Sequence, residues 1–224
     1  MNCHNKNMKN DISAVIFDMD GVISDTQKFH AKIESDLLSR YGISVSSEEI
    51  TKKYAGVKTI EIFDELLKNQ SIAYNLDDLM EEKWKQMTNL ADQSVDEIDG
   101  SVELIKRLYQ AGLKMAVASA SNLEYVSRVI KTLNLNEYFG FLASGDMVKK
   151  GKPNPDIFLL AASKIGIEPT KCLVIEDGIS GMIAAKSGGM KCIGLIESKE
   201  REYPTNNLVT SLKEITLDYI SNLS

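Results

Sequence analysis

A run of apolar residues from Ala14 to Phe17 stops abruptly at Asp18, and runs of the same kind recur at Met115 to Ala118, Phe141 to Ala143, Cys172 to Ile175 and Cys192 to Ile196. Segments this short, apolar throughout and bounded by polar residues, suit strands buried on both faces. Stretches of helical period separate most of them. Val102, Leu104, Ile105 and Leu108 form one stripe, closed by Gly112, and Val126, Val129, Ile130 and Leu133 form a second. Ile157, Phe158, Leu160 and Ala161 follow Pro155, a residue suited to a first helical turn, and end at Gly166; Ile179, Met182, Ile183 and Ala184 lead to Gly188 and Gly189. Buried strands alternating with helices predict an α/β fold with a doubly wound, Rossmann-like parallel sheet. A short edge strand at Leu208 to Thr210 and a last helix around Ile215 to Ile220 complete the pattern.

The interval from Thr26 to Ala91 breaks this alternation. It holds no strand-like run, whereas Phe29, Ile33 and Leu37, then Ile60, Phe63 and Leu67, then Met80, Trp84, Met87 and Ala91 recur at spacings of three and four. The reading is an inserted α-helical cap at 26–91, interrupting an α/β core made of 1–25 and 92–224. An insertion that leaves and rejoins the core near one place can move as a lid. The Trp84, Met80 and Met87 stripe is most simply the interior of that cap.

Composition excludes several partners. The 224 residues carry 26 Lys and Arg against 32 Asp and Glu, a formal charge of −6, so the chain has no global field for nucleic acid or an anionic membrane. With 43% hydrophobic and 26% charged residues it has the makeup of a globular protein. Cys3, Cys172 and Cys192 are odd in number and lack metal-like spacing, which favours a reducing compartment. The first residues lack the apolar stretch of a secretory signal, and no run approaches the ~18 apolar residues of a membrane span, so a cytoplasmic location is expected. Cys3 and His4 read as a frayed terminus rather than a metal site.

In a parallel α/β sheet, ligands bind beyond the carboxyl ends of the strands. There the first run delivers Asp18-Met19-Asp20-Gly21, the second Ser119 and the fourth Glu176-Asp177-Gly178, while a loop carries Lys152-Pro153. So many carboxylates on one edge oppose folding unless a cation neutralises them. An oxygen-rich set of this kind suits Mg²⁺, usually shared with a substrate phosphate. A carboxylate can also be a nucleophile. In this reading Asp18 attacks phosphorus, while Asp20 protonates the leaving oxygen and later activates water. Lys152 and the Ser119 hydroxyl hold the oxygens of the transferred group.

FDMDGVISDT with Asp18 and Asp20, VASAS with Ser119, GKPNPDIF with Lys152 and VIEDGISG with Glu176 and Asp177 follow one another in order from about Ser13 to Gly194. On these motifs the chain resembles the haloacid dehalogenase superfamily, in the branch holding β-phosphoglucomutase and small-metabolite phosphatases. The resemblance implies that Mg²⁺ is held by the Asp18 side chain, the Asp20 carbonyl and Asp177, with Glu176 helping directly or through water. It also implies that the helical insertion closes over the substrate, and a monomer is expected because the cap already covers the site.

Each residue also has a plainer reading. Asp-Gly is a common turn pair. Ser119 could merely cap the helix beginning near Leu123, as could Ser121 or Asn122; these last two are also candidates for substrate binding. Lys149 and Lys150 read as surface charges. His30 either orients Asp20, touches substrate or is structural, and Thr26 is a hinge-side partner for Asp20. The resembled mutase carries an arginine shortly after a Gly-Val pair, to grip a second phosphate; here Gly56-Val57 is followed by Lys58, which lacks the planar fork. Asn122 stands where the mutase tends to have lysine. A phosphatase acting on small phosphorylated metabolites, sugar phosphates first, is therefore preferred over a mutase interconverting β-glucose 1-phosphate and glucose 6-phosphate, with Lys58 selecting substrate. A phospho-accepting receiver domain, which uses similar residues, would lack the helical insertion.

Overall fold

The computed structural model describes residues 11–54, 57–68, 70, 73–198 and 202–223; Cys3, His4 and Gly56 lie outside them. β1 (Ala14–Phe17), β2 (Lys114–Ala118), β3 (Phe141–Ala143), β4 (Cys172–Glu176), β5 (Lys191–Leu195) and β6 (Asn207–Val209) form a six-stranded sheet, ordered β3-β2-β1-β4-β5-β6. Every pairing is parallel, and Phe17 stands level with Val117 of β2 and Ile175 of β4. The order reverses direction between β1 and β4, the place where ligand crevices form in such sheets.

The helices in chain order are α1 (Gln27–Ser39), α2 (Ser47–Tyr54), α3 (Thr59–Leu67), α4 (Leu76–Gln93), α5 (Ser101–Gln110), α6 (Leu123–Thr132), α7 (Asp156–Lys164), α8 (Ile179–Ser187) and α9 (Leu217–Ser221). β1 shows why its run is apolar throughout. Val15 and Phe17 join a cluster with Leu104, Ile105 and Val126 from α5 and α6, while Ala14 and Ile16 join a second with Phe158, Ala161 and Met182 from α7 and α8. Helices cover both faces, so no position on the strand meets water.

Between β1 and α5 the chain builds the inserted helical cap, α1 to α4. Leu37, Phe63 and Leu67 are completely buried there, each stabilising the packing by about 1.5–3 kcal/mol. α2, with sequence SEEITKKY, buries only Ile50 and Tyr54. The two passages between sheet and cap run side by side: Asp25 N donates to Asp96 O and Ile98 N to Ile23 O, both at 2.9 Å. Ser101 Oγ adds a bond to Ile23 O at 2.9 Å. Among the described residues no helix is long and apolar enough to cross a membrane.

Candidate active site

β1 ends with Asp18 N donating to Ile175 O at 3.0 Å, which sets Asp18 beside the carboxyl end of β4. The chain then turns at Gly21, whose φ is +96°. A Cβ there would lie 2.3 Å from Asp177 Oδ2, so glycine serves both the backbone and the space. Glu176 closes β4 completely buried, and a Cβ on Gly181 would stand 1.7 Å from its Oε1.

Lys152 crosses into this cluster from its loop with only 1% of its surface exposed. Its Nζ donates to Asp18 Oδ1, to Glu176 Oε1 at 2.8 Å and to Ala118 O at 3.3 Å. Burial opposes its charge, but Asp18 and Glu176 outweigh that and hold its pKa above the ordinary lysine value. For Asp18 burial dominates. Lys152 lowers its pKa, Glu176 and Asp20 raise it, and the net is a carboxyl pushed up to about 8.

Asp20 sits in a ring of donors. Thr26 Oγ1 donates to Oδ1 at 2.6 Å, with His30 Nε2 3.1 Å from the same oxygen; Ser119 Oγ and Ser121 Oγ donate to Oδ2 at 3.1 and 3.0 Å. Burial pushes this carboxyl up, but His30, Thr26 and Ser121 together hold it well below the usual carboxylate range. Two carboxyls two residues apart are thus driven in opposite directions by their surroundings.

Carboxylate oxygens of Asp18, Glu176 and Asp177 lie within 4.8 Å of one another. Gln27 Nε2 donates both to Asp20 O at 3.1 Å and to Asp177 Oδ2 at 2.6 Å, so those two oxygens face a common point. Burial first, then Glu176 and Asp18, push the Asp177 carboxyl well above its ordinary value, and Lys152 offsets only part of this. An all-oxygen donor set with surplus negative charge fits a hard divalent cation.

The remaining predicted residues fall differently. Ser119 is fully buried and bonds Asp20, also accepting from Ser121 N at 3.1 Å, instead of facing the cavity. Asn122 caps α6, its side chain accepting from Tyr125 N at 2.9 Å. Lys58 reaches across to Val148 O at 2.7 Å, away from the cavity that its neighbour Thr59 lines. That cavity, about 70 Å³, is bounded by Asp18, Asp20 and Ser121 on one side and His30, Glu34 and Thr59 of the cap on the other. Beside it a cleft of about 980 Å³ lies between cap and core and reaches Asp177. Gln27, Glu34 and Tyr125 escaped the sequence reading because no motif marks them. The ring of Tyr125 lies 5.2 Å from that of His30 and 5.8 Å from that of Trp84, and among the described residues its buried hydroxyl, though close to Thr26 and Asp20, makes no well-formed hydrogen bond.

The profile of the haloacid dehalogenase-like hydrolases matches residues 15–195. The chain belongs to this family. Within the haloacid dehalogenase-like hydrolases it is 30% identical over 188 residues to the phosphorylated carbohydrates phosphatase of Thermotoga maritima, covering 84% of this chain and 87% of that one. It is likewise 30% identical over 181 residues to the fructose-1-phosphate phosphatase of Escherichia coli, covering 81% and 95%. The solved β-phosphoglucomutase of Clostridium difficile superposes with a TM-score of 0.83 at 28% identity, over 93% of this chain and 95% of that one. Its membership and relatives make the chain an enzyme of phosphatase type.

Proposed function

We propose that the chain is a Mg²⁺-dependent phosphatase that hydrolyses small phosphorylated metabolites, sugar phosphates first among them, through an aspartyl-phosphate. One observation carries this reading: the Asp18 carboxylate lines the cavity while Lys152, Glu176 and Asp177 surround it from behind. An Asp18 oxygen attacks phosphorus, and the bond from phosphorus to the ester oxygen breaks. Asp20 gives that oxygen a proton and later takes one from the water that hydrolyses the phosphoryl-aspartate, the kind of assistance worth ~10²–10⁴ in rate. Lys152 favours the ionised form of Asp18 against the burial that opposes it, and it opposes charge on the phosphoryl oxygens. Mg²⁺ held by the Asp18 side chain, the Asp20 carbonyl and Asp177, with Glu176 direct or through water, would add Lewis-acid stabilisation of phosphoryl charge.

Two of the groups holding Asp20, Thr26 and His30, stand at the start of the cap. Movement of residues 26–91 against the core would loosen that ring and let Asp20 take up a proton. The mutase reading requires a grip on a second phosphate; no described Lys or Arg lines the cavity, and the lysines of the neighbouring cleft, Lys28, Lys52 and Lys53, lie outside it. Phosphate release from a panel of phosphorylated metabolites, with Mg²⁺ and with chelator, tests the proposal. Rapid isomerisation of β-glucose 1-phosphate under a bisphosphate primer, with little free phosphate, would overturn it in favour of the mutase.

A further inference from the structure

The cap side of the cavity holds a buried ion pair that the phosphoryl chemistry does not use. Glu34 of α1 is 3% exposed, Lys83 of α4 is wholly buried, and Thr59 opens α3 at 6%. Lys83 Nζ donates to Glu34 Oε1 at 2.6 Å and Thr59 Oγ1 donates to the same oxygen at 2.8 Å. Lys83 and Thr59 also bond each other. Among the described residues nothing donates to the second oxygen, Oε2. Glu34 and Thr59 line the cavity and Lys83 does not, so the cavity meets the acceptor of this pair and its cation lies behind.

We propose that Glu34 is the specificity determinant of the site and that it selects phosphomonoesters with a neutral, hydroxyl-bearing tail. This rests on the phosphatase reading above and narrows its substrate class. A buried carboxylate can only accept hydrogen bonds, so its free oxygen asks the substrate for a donor. A polyol hydroxyl supplies one. A carboxylate or a second phosphate has none to give near neutral pH, and it brings a like charge against the Glu34 carboxylate in a cavity that the lysines of the neighbouring cleft, Lys28, Lys52 and Lys53, do not line. The ion pair fixes the acceptor in place: Lys83 and Thr59 hold one oxygen so that the other stays oriented.

Matched esters test this with Mg²⁺ present. Glycerol 3-phosphate and 3-phosphoglycerate share a skeleton and differ in a hydroxymethyl against a carboxylate tail; a hexitol 1-phosphate and its 1,6-bisphosphate make a second pair. The intact enzyme is expected to favour the neutral member of each pair in kcat/KM by about tenfold or more, as a hydrogen bond to a charged group allows. Replacing the pair as a unit, Glu34→Gln with Lys83→Met, avoids leaving either charge buried alone. It should reduce that preference by about tenfold, chiefly through KM for the neutral ester. Equal turnover of neutral and anionic-tailed esters by the intact enzyme overturns the inference, as does an unchanged preference in a double variant that melts cooperatively. Should the double variant fail to fold, the intact enzyme's preference alone decides. No phosphate release from any ester overturns the phosphatase reading and the subsite with it.

Discussion

Gly21 joins two demands that no other residue meets together. Its φ of +96° lies in the region that disfavours side chains, and its missing Cβ leaves room for Asp177 Oδ2 and Gln27 Nε2. Gly21→Ala is therefore expected to cost about 1–3 kcal/mol through backbone strain alone, and in addition to displace Asp177. A fall in melting temperature together with a weaker Mg²⁺ requirement curve for phosphate release checks it; a variant equal to the parent in both would show that the turn tolerates a side chain. Asp18 makes a separate case. Asp18→Asn keeps the shape of the side chain but removes the nucleophilic charge, so phosphate release should drop by at least about a thousandfold, with the circular dichroism spectrum preserved. Retained turnover would remove Asp18 as the nucleophile.

Among the elements, α6 is where core and cap meet through side chains. Tyr125 presents its ring to His30 of α1 and Trp84 of α4, while Arg128, one turn on, forms an exposed pair with Asp92 at 2.7 Å. Exposed pairs of this kind contribute about 0–1 kcal/mol, so the rings dominate the contact. Tyr125→Phe keeps them and removes a buried hydroxyl that makes no well-formed hydrogen bond among the described residues; its melting temperature should match or exceed the parent's. Tyr125→Ala removes the ring and is expected to destabilise by about 3–5 kcal/mol, readable in urea unfolding. The same elements show what sequence could reveal. Each strand falls within one residue of its apolar run; in β1 and β4, buried along their whole length, the run and the strand end together to within that residue because both faces are covered. α2 carries no such signal, since Ile50 and Tyr54 alone make no stripe among six polar neighbours. The motif carboxylates were legible because strand ends place them. Glu34, Thr59 and Lys83 were not, because three different helices must pack before they meet, and Ser119 and Lys58 point elsewhere than their sequence neighbours suggest.

For the whole molecule the site sets how stability varies with pH and metal. A carboxyl whose folded pKa stands above its unfolded value binds more protons when folded. Its contribution is present at low pH and is lost as pH rises between the two values. For Asp18 that window runs from 3.8 to about 8, and Asp177 is shifted in the same direction. Asp20 works oppositely: its folded pKa is depressed, so its contribution holds above the unfolded value and is lost only as the medium becomes strongly acidic. Between about pH 5 and 8 the first two dominate, and chelator-treated protein should melt at progressively lower temperature as pH rises. Added Mg²⁺ should raise the melting temperature, and by more at the upper end of the range, because its ligands must be deprotonated to bind it. Thermal melts across that range, with chelator and with saturating Mg²⁺, measure both slopes. A chelated protein that grows more stable toward pH 8, or a Mg²⁺ increment that shrinks there, would contradict a site in which Asp18 and Asp177 carry uncompensated charge into the same buried pocket.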